Sequence, residues 1–230
     1  MGLLRTATFN EPDSISDFLK YEAAQEYCRD KITIASGEGV LEVNTLLGKV
    51  TLGAASSAAK SGGNTGNGTF VLDVTTPVLA GAAPGVYSLR FTTTTSVRLE
   101  DPTGRVIADV AIGGSTGNTA TVQEQIKGVL TQGATPFAAG DGFDITIADG
   151  SGEYKKCKLT NLDGSAVAAG VLCHAVDATS TAQVAVAVVR GPAVGGRLGL
   201  KFDATFDSAG KKSKALAQLD ARGIVVRDSA

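Results

Sequence analysis

Residues 55–68 read ASSAAKSGGNTGNG and carry no apolar side chain larger than alanine. A stretch with so little to bury cannot anchor itself in a core, so it is expected to be a linker that divides the chain into differently folded parts. The texture beyond it is that of a small β-sandwich or barrel. Strand-like runs at 69–74, 86–92, 97–100, 106–112 and 143–148 alternate with turn signals, and short strands at that spacing mark such folds. The clearest turn is Asp101-Pro102-Thr103-Gly104. Proline pre-sets its own φ and glycine takes a left-handed position, so the flanking strands can pair as a hairpin.

The outer parts of the chain have a different character. Ser14 and Asp17 fit a capping box, with Ile15, Phe18, Leu19 and Ala23 at helical spacing behind it, which predicts a short helix. Ile32 and Ile34 alternate before a Gly37-Glu38-Gly39 turn, and strands follow at 40–43 and 46–51. After residue 150, strands are expected at 157–159, 170–174 and 184–190. The run 182–189 is apolar except for Gln183, so it is expected to be buried on both faces. Residues 211–222 read as a helix: Asp207 or Ser208 can cap it, Ala215, Leu216 and Leu219 form a stripe, and Gly223 stands at the C-terminal cap. A last short strand is expected at 224–226.

Charge and composition remove several functions. With a formal net charge of -2, the chain has no electrostatic footprint for nucleic acid. Lys211, Lys212 and Lys214 are read as a solvated helix face. No apolar run approaches the roughly 18 residues of a membrane-spanning helix, and the first residues lack a charged-then-apolar leader pattern, so no membrane association is expected and the product is expected to be soluble and unsecreted. Cys28, Cys157 and Cys173 are odd in number and far apart, which suits buried free thiols better than a disulfide framework or a zinc site.

Three short motifs suggest chemistry, and none is completed. Residues 113–117 fit G-x-S-x-G around Ser115, after one strand and before a helical pattern at 119–130, as a nucleophile elbow requires. A hydrolase also needs a base, and the single histidine, His174, lies far along the chain, beside Cys173, with its side chain on the opposite face of a strand. The segment is therefore read as a loop. Residues 140–144, GDGFD, lack the ligand spacing and final glutamate of a calcium loop; they are expected to form a turn with solvated carboxylates. The glycines of 62–68 are not followed by the Lys-Ser or Lys-Thr of a phosphate loop. No catalytic, cofactor-binding or metal-ligating residue is assigned.

The last third of the chain carries a resemblance. Residues 163–181, DGSAVAAGVLCHAVDATST, and 211–228, KKSKALAQLDARGIVVRD, resemble the head decoration proteins of lambda-like tailed phages. In that family a strand of pattern G-x-A-x-G-[IVL]-L, here Gly164, Ala166 or Ala168, Gly170, Val171 and Leu172, precedes an Asp-containing turn and an apolar strand; here these are 177–181 and 182–190. The EGVLEVNTLLGKVT pattern at 38–51 also fits. The resemblance implies a fold that is mainly β with a little α (α+β), a small decoration-protein core with one C-terminal helix. Residues 1–19 would be an N-terminal arm, 20–65 together with 151–230 the discontinuous core, and 66–150 an inserted β-sandwich-like module. That insert, with NGTF, PGVYSL, DPTGRVIADV and FAAGDGFDITIA, looks like a module of other phage decoration proteins.

The same resemblance implies a structural virion protein, not an enzyme, that binds the major capsid protein on the outside of the expanded capsid. It would act as a homotrimer at local three-fold positions, after assembly in the host cytoplasm. The family adds its arm to a capsid sheet, which by position points to Leu3, Leu4, Thr6, Thr8 and Phe9. The alternative is a carbohydrate-binding or tail-adhesion protein of a phage whose β module takes a surface glycan; the lack of Trp and the four Tyr argue against an aromatic glycan groove.

Overall fold

Turn signals recur so often that no strand among the described residues exceeds eight residues. The computed structural model describes residues 12–228 and is mainly β with a little α, as those short runs require. It divides into two compact units: Met1–Lys49, Glu153–Leu159 and Val167–Ala230 form the first, and Val50–Gly152 with Thr160–Ala166 form the second.

The chain enters the first unit through α1 (Ile15–Phe18), β1 (Leu19–Glu22), α2 (Gln25–Cys28), β2 (Arg29–Ile34), β3 (Gly39–Leu41) and β4 (Leu46–Lys49). The Asp17 carboxylate accepts the Ser14 N–H at 2.7 Å, as the expected capping box requires. The helix stops after one turn because Leu19 leaves it to pair with Gly195, so tertiary pairing overrides the spacing of Leu19 and Ala23. Ile32 and Ile34 point inward from β2 as their alternation predicts.

The second unit holds β5 (Leu52–Ala59), β6 (Thr69–Leu72), β7 (Gly85–Phe91), β8 (Ser96–Glu100), β9 (Val106–Ala111), β10 (Thr119–Gln123), β11 (Lys127–Thr131) and β12 (Gly142–Asp149). One sheet runs β5-β12-β7-β8-β9 and the other β10-β11-β6. A single core takes Leu89, Leu99 and Ile145 from the first and Phe70, Val122 and Leu130 from the second, which makes the unit a sandwich. The turn at residues 101–104 forms as expected: Gly104 has φ +83° and donates to the Asp101 carbonyl at 2.9 Å. The hydrogen bond from the Thr103 hydroxyl, helped by backbone N–H groups of Arg105 and Thr103, lowers the Asp101 carboxyl to about 2.

Three expectations fail in this unit. Residues 55–68 are no linker, for Ala55 to Ala59 pair with β12 in β5. Strand pairing needs only backbone groups, and the apolar bulk comes from Ile145 and Ile147 on the partner. The remainder is fixed by groups from far along the chain. Asn64 makes a reciprocal pair with Gly142, donating at 3.0 Å and accepting at 2.8 Å. A Cβ at Gly66 would lie 2.7 Å from Phe137 Cα, and one at Gly68 2.4 Å from its ring, so these glycines serve close approach and not flexibility. The unit accordingly begins at Val50, not near residue 66, and residues 50–65 leave the core segment assigned to them.

Second, the helical pattern at 119–130 is the hairpin β10–β11, whose alternating burial puts Ala120, Val122 and Leu130 inside. Third, Asp141 is not solvated. It is 3% exposed, and its carboxylate accepts the N–H groups of Thr65, Gly66 and Ala138 at 2.8, 2.9 and 2.9 Å.

On its return the chain completes the first unit with β13 (Tyr154–Lys156), β14 (Ala168–Leu172), β15 (Val176–Ala178), β16 (Gln183–Val188), β17 (Ala193–Gly196), α3 (Ala209–Asp220) and β18 (Ile224–Arg227). Strands β13-β2-β16-β14-β4 close a barrel, flanked by the sheets β1-β17-β18 and β15-β3. The strand buried on both faces is β14. Ala169 and Leu172 lie in one cluster with Ile34 and Leu47. Ala168 and Val171 lie in another with Ala215 and Leu219 of α3. Small residues let the helix and barrel wall approach, and a Cβ at Gly170 would meet the Val188 carbonyl at 2.8 Å.

The run 182–189 does not have that role, since Val184 is 57% exposed; α3 packs on β14, leaving one face of β16 uncovered. The strands expected at 157–159 and 170–174 instead end at Lys156 and Leu172. Ser208 caps α3 by accepting the Lys211 N–H at 3.4 Å, and Gly223, at φ +79°, follows its C-terminal end, as the sequence predicts.

Candidate functional site

Phe18, fully buried, ties α1 to the core of the first unit. Burying such a ring stabilises by about 2–3 kcal/mol. Two glycines make room for it. A Cβ at Gly195 would stand 2.4 Å from the Phe18 ring, and one at Gly199 would stand 2.2 Å from the Asp17 carbonyl oxygen.

Asn44 and Lys201 hold the chain just before α1. Asn44, between β3 and β4, is 1% exposed and has φ +65°, a left-handed position that asparagine tolerates better than most residues. Its N–H donates to the Leu172 carbonyl at 2.8 Å, its carbonyl accepts from Lys201 N at 2.9 Å, and its Nδ2 donates to the Ser14 carbonyl at 2.7 Å. Its Oδ1 is buried with no hydrogen-bond partner among the described residues. The Lys201 ammonium bridges Asp13 and, at 2.6 Å, Glu42. Hydrogen bonding to Asp13, then to Glu42, raises its pKa. Such exposed pairs contribute little stability.

Beside Asn44 lies a cleft lined by Asp13, Asp17, Lys20, Leu198 and Lys201. Leu198, 95% exposed, supplies its apolar flank. The sequence contained one signal for this site, an asparagine between two short strands; Lys201 and Leu198 carry none. Leu3, Leu4, Thr6, Thr8 and Phe9, assigned to the arm by position, lie outside the described residues.

The other candidates are not assembled into chemistry. Ser115 is exposed in the loop between β9 and β10, and a strand follows it where an elbow needs a helix. His174 is exposed in the bend after β14. Cys28 and Cys157 are fully buried, and none of the three cysteines is in a disulfide. Burial, with a smaller contribution from Asp203, pushes Cys157 up to about 12; burial also raises Cys173. Among the described residues, no cluster of His, Cys, Asp or Glu is arranged for a metal, and no helix is long and apolar enough to cross a membrane.

Comparison with known proteins gives an extended match. A family model described as bacteriophage lambda head decoration protein D matches residues 8–224. No curated protein matches the chain. Two crystal structures of Xanthomonas campestris FlgL are 21% identical over 49% and 50% of this chain, with TM-scores of 0.30 and 0.29, and the matches span 34% and 33% of those chains. At that level the likeness carries no argument.

Proposed function

The chain belongs to the bacteriophage lambda head decoration protein D family, and we propose from that membership that it binds the outside of the expanded phage head as a homotrimer at local three-fold positions. The observation that carries this reading is the family match over residues 8–224. The family is structural, and the protein's place is the capsid surface of the virion, after assembly in the host cytoplasm. The first unit serves as the decoration core and the second as an added module.

Binding stabilises the head by linkage: a protein that attaches only to the mature lattice lowers the free energy of that lattice relative to every other form. The arm adds to a sheet of the major capsid protein through residues 3–9, gaining order as it binds. The anchored approach to α1 supports that division of labour, since Phe18, Asn44 and Lys201 hold the chain there. Nothing observed favours the glycan-binding alternative.

Co-sedimentation with cognate expanded heads and compact proheads tests the proposal. Saturable binding to expanded heads alone is expected, weakened by deletion of residues 1–10 in a protein that stays folded. Absence of binding to expanded heads refutes it, and sedimentation equilibrium checks the trimer.

A further inference from the structure

One sheet edge of the second unit is open. Strand β5 ends the sheet β5-β12-β7-β8-β9, and its eight residues make it the longest sheet-end strand among the described residues, the others having three to six. The Lys60 N–H donates to the Gly142 carbonyl at 3.0 Å, which sets the parity of the ladder. Ser56 and Ala58 therefore turn their N–H and C=O groups to β12, and Ala55, Ser57 and Ala59 turn theirs away from it. At the start of the strand the Leu52 N–H is taken by the Asp163 carbonyl at 3.0 Å. Further along, no strand among the described residues pairs with the outer side.

A row of outward N–H and C=O groups is a template for strand addition, and proteins blunt it with charge, proline or a bulge. Residues 54–59, AASSAA, have none of these, and the register shift of this pair lies at its other end, between Ile147 and Asp149. Elsewhere the edges are guarded: β1 carries Lys20, Glu22 and a register shift, β9 carries Asp109 and β18 carries Arg227.

What fits this edge is the same edge. Laid antiparallel to itself about a two-fold axis at Ser57, β5 sets Ala55 opposite Ala59, Ser56 opposite Ala58 and Ser57 opposite its own copy, so every outward N–H meets a C=O. The Ser57 hydroxyl stays out of the way, donating inward to the Phe70 carbonyl at 3.5 Å. Ser56 and Ala58, both exposed, are small enough to cross without a clash. Charge selects the direction. Antiparallel pairing sends the two Lys60 side chains to opposite ends, each facing an Ala54, whereas in-register parallel pairing sets one Lys60 against the other.

We propose that β5 joins the second units of two copies of this chain by antiparallel strand pairing across a two-fold axis at Ser57. The inference rests on the trimer reading and adds to it a contact between trimers. Each protomer offers one such edge, so three-fold and two-fold contacts together tie neighbouring trimers into a network over the head.

In this register Ser56 and Ala58 of the second copy form a non-hydrogen-bonded pair with Cα atoms about 4.5 Å apart, within disulfide reach. Full-length Ser56→Cys and Ala58→Cys proteins, mixed in equal amounts and oxidised with copper phenanthroline, are expected to give the mixed 56–58 disulfide in clear excess over a random mixture. Peptide mass spectrometry identifies it and separates any bond made through Cys173. Sedimentation velocity of the unsubstituted protein should show its basic oligomer doubling with concentration. Ser56→Lys/Ala58→Lys, which sets lysine against lysine at two exposed positions, is expected to weaken that doubling about tenfold. Ser57→Pro, which removes an N–H that β12 does not use, should abolish it.

A random mixture of disulfides, no disulfide, or doubling that survives the double lysine substitution overturns the proposal. Head binding by a protein that forms no mixed disulfide leaves the decoration reading standing and ends this one. The mixed disulfide in a protein that binds no heads does the reverse.

Discussion

Replacing Asp141 tests the account of how the second unit is held together. Its carboxylate accepts three backbone N–H groups, two of them from the glycine-rich stretch at Thr65 and Gly66. A hydrogen bond to a charged acceptor contributes about 1.5–3 kcal/mol, and a buried donor left alone forfeits its hydration. The Gly66 bond is buried, whereas those of Thr65 and Ala138 are partly open to water. Asp141→Ala is therefore expected to destabilise the unit by about 4 kcal/mol, and Asp141→Asn, which keeps one acceptor oxygen, by about 2 kcal/mol.

The pH dependence is equally constrained. Burial alone would raise this carboxyl, but the bonds from Ala138, Gly66 and Thr65 outweigh it, so the folded pKa lies below the ordinary value. A depressed carboxyl contributes stability that is fully present above the unfolded pKa, near 3.9, and is lost as the pH falls through the folded value. The gap between wild type and Asp141→Ala should stay constant from about pH 7 to 5 and narrow below about pH 4. Urea titration followed by amide NMR signals of Val122 and Ile145 reports on this unit specifically. Equal midpoints would show that the clamp contributes nothing, and a gap that does not narrow in acid would show that the carboxylate's charge is not what holds it.

Gly170→Ala puts a methyl 2.8 Å from the Val188 carbonyl and 3.2 Å from Val189 Cγ1, so a loss of about 1–3 kcal/mol is expected by overpacking; an unchanged melting temperature would mean that β14 has slack. Ser115→Ala should alter neither stability nor head binding, and an esterase activity that vanishes with the substitution would reinstate the nucleophile. Cys157, buried and held near 12, should resist dithionitrobenzoate at pH 8 until the first unit unfolds in urea. Rapid labelling of the native protein at this position would contradict its placement.

What could be read in advance was what a segment's own side chains decide. The cap, stripe and terminal glycine of α3 are local, and so is the Asp101 turn. Residues 55–68 could not be read because their order comes from Phe137, Asp141 and Gly142, and composition records only what a segment brings itself. Residues 119–130 satisfy two periods at once. Val122, Ile126, Val129 and Leu130 fit a helix, while Ala120, Val122 and Leu130 fit strands, and only the partner strand β6 decides between them. The approach to α1 joins Asp13, Asn44 and Lys201, and no local pattern announces so distant a meeting.

The two ends of the long segment Val50–Gly152 are tied to each other: Gly152 donates to the Val50 carbonyl at 3.0 Å and Gly150 to the Thr51 carbonyl at 3.0 Å. This has a consequence for the order of folding. Strand β4 must find β13 and β14 to close the barrel, and as open chain the intervening loop, on the order of a hundred residues, would cost about 4 kcal/mol of closure entropy. Once the sandwich has formed, its own hydrogen bonds have already brought that loop's ends together. The sandwich thus acts as a folded clasp, and during synthesis nearly all of it leaves the ribosome before β14 and β16 exist. Pulse-labelled hydrogen exchange should protect β7 and β12 before β14; the reverse order would mean that the barrel closes without that help.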